Sequence, residues 1–247
     1  MHDLTKNEQW LLSEKYHGIQ SDAFLADRKR LAAGEPLGYV IGHTPFLNTT
    51  VYLDSHPLIP RPETEFWTEQ AIMAMRQFQR NLANEQAAVG GFGLGTAEVN
   101  ESSFAEIASP SLNVLDLCAG SGAIGVAVAK ALPHVRVTFA EIDDSHLPTI
   151  AKNLDANDIP CTRYQVFQSD LFANLRSTFD FILSNPPYID PALDRTEDSV
   201  TEHEPHLSLY GGRGGLELLK DIVAAAPNHL NPQGQLWLEH EPEQTEV

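Results

Sequence analysis

The chain has 247 residues and carries 16 Lys+Arg against 34 Asp+Glu, a formal net charge of −18. Its length suits one α/β domain with a small appendage, domains commonly running to roughly 100–200 residues, and 42% hydrophobic with 20% charged content excludes global disorder. So acidic a balance lacks the footprint of a general nucleic-acid binder, and with no export leader and no apolar run of about 18 residues a soluble, cytoplasmic protein is expected.

In chain order, Thr5-Lys6-Asn7-Glu8 has the form of a capping box and predicts a helix from about Thr5 to His17. Ser21 or Asp22 caps a second helix, Ala23 to Ala33, ended by Gly34. Residues 1–35 thus form a small helical region, whose Arg28-Lys29-Arg30 run reads as a solvated face. Tyr39 to Leu53 is rich in β-branched and aromatic residues and predicts a hairpin turning at Asn48-Thr49-Thr50, so that 36–58 is a β-hairpin linker. A helical pattern follows from Glu63 to Leu82, opening a catalytic-type domain over 59–247. Residues 84–112 are Gly/Ser-rich and weakly periodic. They read as a flexible insertion, and the GGFGLG within them as linker rather than nucleotide loop, because no strand precedes it.

From Asn113 onward strands and helices alternate. Strands are expected at 113–117, 135–140, 163–167, 179–184 and 235–239, and helices at 123–132, 145–155 and 215–226. Such alternation predicts a doubly wound, Rossmann-like parallel sheet, with chemistry at the carboxyl ends of its strands. The two cysteines, Cys118 and Cys161, are expected as buried or half-buried free thiols. His203, Glu204 and His206 lack metal-ligand spacing and read as a solvated acidic loop; no metal site is expected.

Gly120-Ser121-Gly122-Ala123-Ile124-Gly125 follows a strand and opens a helix, and Glu141 closes the next strand. This matches a dinucleotide fingerprint, in which a pyrophosphate meets the helix N-terminus and the acid holds a ribose. The overlapping run Asp116-Leu117-Cys118-Ala119-Gly120-Ser121-Gly122 instead resembles the first motif of S-adenosylmethionine-dependent methyltransferases, with Cys118 where a glycine is usual. An acid at Asp116 suits a sulfonium and ammonium ligand and would repel a pyrophosphate.

The strand ending at Ser184 runs into Asn185-Pro186-Pro187-Tyr188. Two prolines stiffen the backbone and remove donors, leaving the Asn185 oxygen and the Pro186 carbonyl to accept from one planar NH₂ group, with the Tyr188 ring beside it. This segment resembles the NPPY class of amino-methyltransferases, which act on DNA bases or on protein glutamine. Glu35–Gly42, Leu58–Glu65 (with Arg61-Pro62-Glu63-Thr64-Glu65), Glu204-Pro205 and Gly211–Leu216 extend the likeness to the HemK-type release factor glutamine methyltransferases.

The resemblance implies a class I methyltransferase fold, S-adenosylmethionine as cofactor and a peptide chain release factor as protein substrate. Cys118, Ala119, Gly120, Ser121 and Gly122 would wrap the methionine part of the cofactor alongside Asp116. Glu141 would bind its ribose, and Asp170 with Leu171 would border the adenine. Asn185, Pro186, Pro187 and Tyr188 would hold the acceptor glutamine, with Asn185 near the cofactor too. Relatives continue beyond this length through a further helix and strand pair, so an exposed sheet edge and self-association through it are expected. The rivals are a ribosomal protein L3 glutamine methyltransferase, an N6-adenine methyltransferase, an NAD-dependent oxidoreductase and a non-catalytic cofactor-binding relic. Charge weighs against nucleic acid locally as well, because residues 181–247 hold 3 Lys+Arg against 12 Asp+Glu.

Overall fold

The computed structural model describes residues 4–89, 110–193 and 198–245. The capping box forms as expected: Thr5 and Glu8 exchange bonds and start helix α1, Lys6–Glu14. Ser21 caps α2, Asp22–Ala32. A third helix, α3 (Leu37–Ile41), occupies part of the span expected to be extended. Pro36 precedes it and Gly42, at φ 98, ends it, and these boundaries outweigh the β-branched composition between them. Leu11, Phe24 and Val40, one from each helix, form a small core. Arg28 pairs with Glu8, and Arg30 with Asp27 and Glu35, so those two arginines, though partly exposed to solvent, are also engaged within this unit.

The hairpin is β1 (His43–Phe46) with β2 (Thr49–Tyr52), shorter than expected and turning at Leu47-Asn48. Helix α4 spans Pro62–Val89 and so continues through the start of the expected insertion, since no Gly or Pro interrupts it before Gly90. Residues 90–109 of that insertion lie outside the described residues, and Leu112 already belongs to the first sheet strand.

The sheet is wholly parallel, in the order β5-β4-β3-β6-β7. Its strands are β3 (Leu112–Leu117), β4 (Val135–Glu141), β5 (Tyr164–Gln168), β6 (Phe179–Ser184) and β7 (Leu230–Leu238). The connecting helices are α5 (Ala123–Ala131), α6 (Leu147–Ala156), α7 (Asp198–His203) and α8 (Glu217–Ala225). Strand alternation sorts the core into two layers. Val114, Val137, Phe139, Phe181 and Leu183 face α4, α5 and α6. Leu115, Leu117, Ala140 and Ile182 face the opposite side with Phe172, Leu175 and Ile222.

Asn153 on α6 and Asn157, which caps its C-terminus one turn later, dock the hairpin on this body. Asn153 accepts from the Tyr52 amide at 2.7 Å and Asn157 from the Thr50 amide at 3.1 Å, while their NH₂ groups return bonds to the carbonyls of the same two residues. Asn153 Nδ2 also donates to the Ser121 carbonyl at 2.8 Å, coupling the hairpin to the loop after β3. Among the described residues no helix is long and apolar enough to cross a membrane.

Candidate active site

Chain order reverses direction between β3 and β6, which lie side by side with Leu117 opposite Ser184. Crevices at such a switch point, beyond the carboxyl ends of the strands, are where doubly wound sheets bind ligands. Across that edge stand Asp170 after β5, Glu141 ending β4, the 118–122 loop after β3 and Asn185 after β6. A cavity there is lined by Cys118, Ala119, Gly120, Ser121, Glu141, Asp170, Leu171, Asn185 and Pro187. A second is lined by Asn185, Pro186 and Tyr188, with Arg61 and Leu209. Asn185 belongs to both.

Two expected cofactor contacts lie elsewhere. Gly122 does not line the cavity; it is the left-handed N-cap of α5, and a Cβ there would sit 3.2 Å from Ile150. Asp116 sits behind the loop. Alternation turns its side chain to the Val114 face beneath α5, where it is fully buried and Oδ2 accepts the Gly125 N–H at 2.8 Å. A Cβ on Gly125 would fall 2.9 Å from that oxygen and 2.3 Å from the Phe139 ring, so glycine permits the approach.

Burial pushes the Asp116 carboxyl up to about 8, the Gly125 N–H opposing and the charge of Glu141 adding to the rise. In the unfolded chain an aspartate titrates near ~4. Between those values the folded protein binds more protons, so this contribution to stability is full below about pH 4 and is lost as pH rises through about 8. Asp116→Asn is therefore expected to remove a declining component of up to about 1.4 kcal/mol per pH unit. Denaturant unfolding of both proteins from pH 5 to 8 measures it, and parallel profiles would refute the assignment.

Cys118 takes φ 58, a conformation natural to glycine and costing other residues roughly 1–2 kcal/mol. Burial raises its thiol to about 12, so it remains a neutral wall of the cavity. Cys161, by contrast, is exposed rather than half-buried.

Glu141 is 7% exposed and spends one lone pair of each oxygen on the frame of the site: Oε2 accepts Gly120 N–H at 2.7 Å and Oε1 accepts Asp143 N–H at 2.9 Å. Its remaining lone pairs face a cavity that Asp143 and Asp170 also line. Three carboxylates suit a cationic ligand bearing hydroxyls, and the Gly120 amide that would meet a pyrophosphate is already bonded. The donor set therefore fits S-adenosylmethionine and disfavours a dinucleotide.

Around Asn185 and Tyr188 the site is completed by Thr64, Trp67 and Glu239, which no sequence motif assigns to it. Asn185 Nδ2 donates to Thr64 Oγ1 at 3.1 Å, and Thr64 donates to Glu239 Oε2 at 2.7 Å. Trp67 Nε1 also donates to Glu239 Oε2, at 2.7 Å, and the Tyr188 hydroxyl to Oε1 at 2.9 Å. Burial, then the charge of Glu239, holds the Tyr188 hydroxyl well above the ordinary phenol range. Glu204, expected in a solvated loop, is buried: its carboxylate pairs with Arg61 at 2.6 Å and accepts the Ile59 N–H at 3.2 Å. It thereby ties the segment before α4 to the one after α7. No group of three His, Cys, Asp or Glu that could hold a metal occurs among the described residues.

Fold and site together define a class I, S-adenosylmethionine-dependent methyltransferase. The family model described as Methyltransferase small domain matches residues 96–203. The hMettl16 catalytic domain, solved with the MAT2A 3'UTR hairpin 6, superposes with a TM-score of 0.51 over 80% of this chain and 64% of that one, at 15% identity, a likeness of fold. Several relatives bear the name release factor glutamine methyltransferase, three of them as follows. That of Lactococcus lactis is 31% identical over 97% of this chain and 76% of its own; that of Rhodopirellula baltica, 34% over 90% and 67%; that of Geobacter sulfurreducens, 34% over 85% and 62%. The chain belongs to the release factor glutamine methyltransferase family, and it spans 62 to 76% of the length of these three members.

Proposed function

We propose that this protein methylates the side-chain amide nitrogen, N5, of the glutamine in the Gly-Gly-Gln segment of a peptide chain release factor. The observation that carries the reading is the position of Asn185 in the wall of both cavities, one fitted to S-adenosylmethionine and the other floored by Pro186 and Tyr188.

S-adenosylmethionine supplies an electrophilic methyl group. The loop from Cys118 to Ser121 holds its methionine end, Glu141 accepts from the ribose, and Asp170 with Leu171 borders the adenine. On the other side, the Asn185 oxygen and the Pro186 carbonyl accept the two N–H bonds of the acceptor amide, while the Tyr188 ring lies against its plane. An amide nitrogen is a poor nucleophile because its lone pair is delocalised. Holding both N–H groups presents that nitrogen to the cofactor side, and positioning of this kind supplies several kcal/mol of barrier reduction. The N-methylated amide nitrogen sheds its proton readily, so no side-chain base is required.

The acidic segment around the tetrapeptide, with 3 Lys+Arg against 12 Asp+Glu over residues 181–247, favours a protein acceptor over a phosphate backbone. A labelled-methyl assay offering a release factor, ribosomal protein L3 and duplex DNA separates the readings. Incorporation into the release factor is expected; transfer to DNA with none to either protein would refute the proposal.

A further inference from the structure

The Glu239 carboxylate stands one residue past β7, and its backbone N–H continues the ladder to the Ser184 carbonyl at 3.0 Å. It is thus fixed beside the strand end from which Asn185 emerges. Its oxygens gather donors from two elements: Thr64 and Trp67 from α4, and Tyr188 from the tetrapeptide.

The direction of these bonds follows from proton counting. Thr64 has a single hydroxyl proton, and an ionised carboxylate only accepts. The proton therefore lies on the 2.7 Å contact from Thr64 to Glu239, and towards Asn185 the Thr64 oxygen is an acceptor. Asn185 must meet it with NH₂; the flipped amide would bring two acceptor oxygens together with no proton between them. Its Oδ1 is left for the cavities that Asn185 lines. Thr64 is 2% exposed, so water has little room to substitute for either bond.

We infer that Glu239 is a positioning residue for methyl transfer: through Thr64 it sets the orientation of the Asn185 amide, and directly it holds the Tyr188 hydroxyl. One carboxylate thereby fixes both ends of Asn185-Pro186-Pro187-Tyr188. Thr64 has the same task at second hand, which gives the Arg61–Glu65 segment a part in orienting the acceptor. The consequence for turnover rests on the glutamine-methylation reading above; the relay itself does not.

Glu239→Gln keeps the size of the side chain but places an NH₂ among groups that all donate. Thr64→Val keeps the shape and removes the hydroxyl, and Thr64→Ser restores it. The Asn185 side-chain NH₂ resonances of ¹⁵N-labelled protein report the relay without turnover, and kcat on a release factor reports its use. Glu239→Gln and Thr64→Val are each expected to shift the Asn185 resonances and to lower kcat by about 10- to 100-fold. Calorimetric affinity for S-adenosylmethionine should stay within about 3-fold in Glu239→Gln, whose residue lines neither cavity, and Thr64→Ser should recover both signals. The double variant Thr64→Val with Glu239→Gln should be no worse than the poorer single one, as expected of residues acting in one network.

Unchanged Asn185 resonances in Glu239→Gln would overturn the inference whether or not the protein turns over. So would parallel losses of cofactor affinity, kcat and thermal midpoint, which mark a purely structural residue. Shifted resonances in a protein whose wild type methylates no release factor would uphold the relay and count against the glutamine reading alone.

Discussion

Asn185→Ala is expected to lower kcat on a release factor by about 100-fold or more, with the affinity for S-adenosylmethionine changed by no more than about 3-fold. The asymmetry follows from where the side chain stands. On the proposed reading, the first cavity retains the loop from Cys118 to Ser121, Glu141, Asp170 and Leu171 when Asn185 is truncated, whereas the second loses the amide oxygen next to Pro186 and Tyr188. Asn185→Asp gives a sharper test. It conserves size and an accepting oxygen, but it puts an acceptor against the Thr64 hydroxyl oxygen and a second negative charge near Glu239. It should therefore be as poor as alanine. Near-normal turnover in either variant, by steady-state kinetics with labelled cofactor, would contradict the role given to this residue.

The second large effect is expected at Gly215, in the segment 211–216 that underlies the tetrapeptide. Gly215 has φ +66, and a Cβ there would lie 1.9 Å from the Tyr188 carbonyl oxygen and 2.5 Å from the Gln244 amide that bonds to it. The clash is with backbone, so no rotamer change relieves it. Gly215→Ala is expected to cost roughly 1–3 kcal/mol for overpacking and about 1–2 kcal/mol more for the left-handed backbone. It should also lower kcat, because Tyr188 must move. Gly18 is the internal control: its φ is +84, and a Cβ would meet nothing within 4 Å. Gly18→Ala should show only the smaller conformational cost, with activity intact. Equal denaturation midpoints for the two variants would refute the packing argument.

Much of the site was legible in the sequence because its parts are contiguous. Cys118 to Ser121 and Asn185 to Tyr188 each follow an apolar strand, and once the parallel alternation is read both must lie at one edge. Their adjacency required the strand order, in which β3 pairs with β6 across more than sixty residues of chain. The placement of Asp116 follows from strand alternation rather than from its charge: the alternation that buries Val114 under α5 carries Asp116 with it, away from the cavity. Glu204 was hidden by its neighbours: nothing in an acidic stretch marks which member meets Arg61 in the interior. Thr64, Trp67 and Glu239 were least legible, since their function is a bonding geometry between residues more than 170 positions apart. The short helix α3 and the extension of α4 to Val89 show local boundaries outweighing composition. Pro36 and Gly42 enclose the first, and the absence of a breaker before Gly90 prolongs the second.

Whether Asn185 presents a glutamine amide for methylation is decided by locating the transferred methyl group. A release factor is incubated with this protein and S-adenosylmethionine, digested, and its Gly-Gly-Gln peptide fragmented by mass spectrometry. One added methyl on the glutamine side chain is expected with wild-type protein and almost none with Asn185→Ala. A methyl group on any other residue, or equal modification by the two proteins, would contradict it.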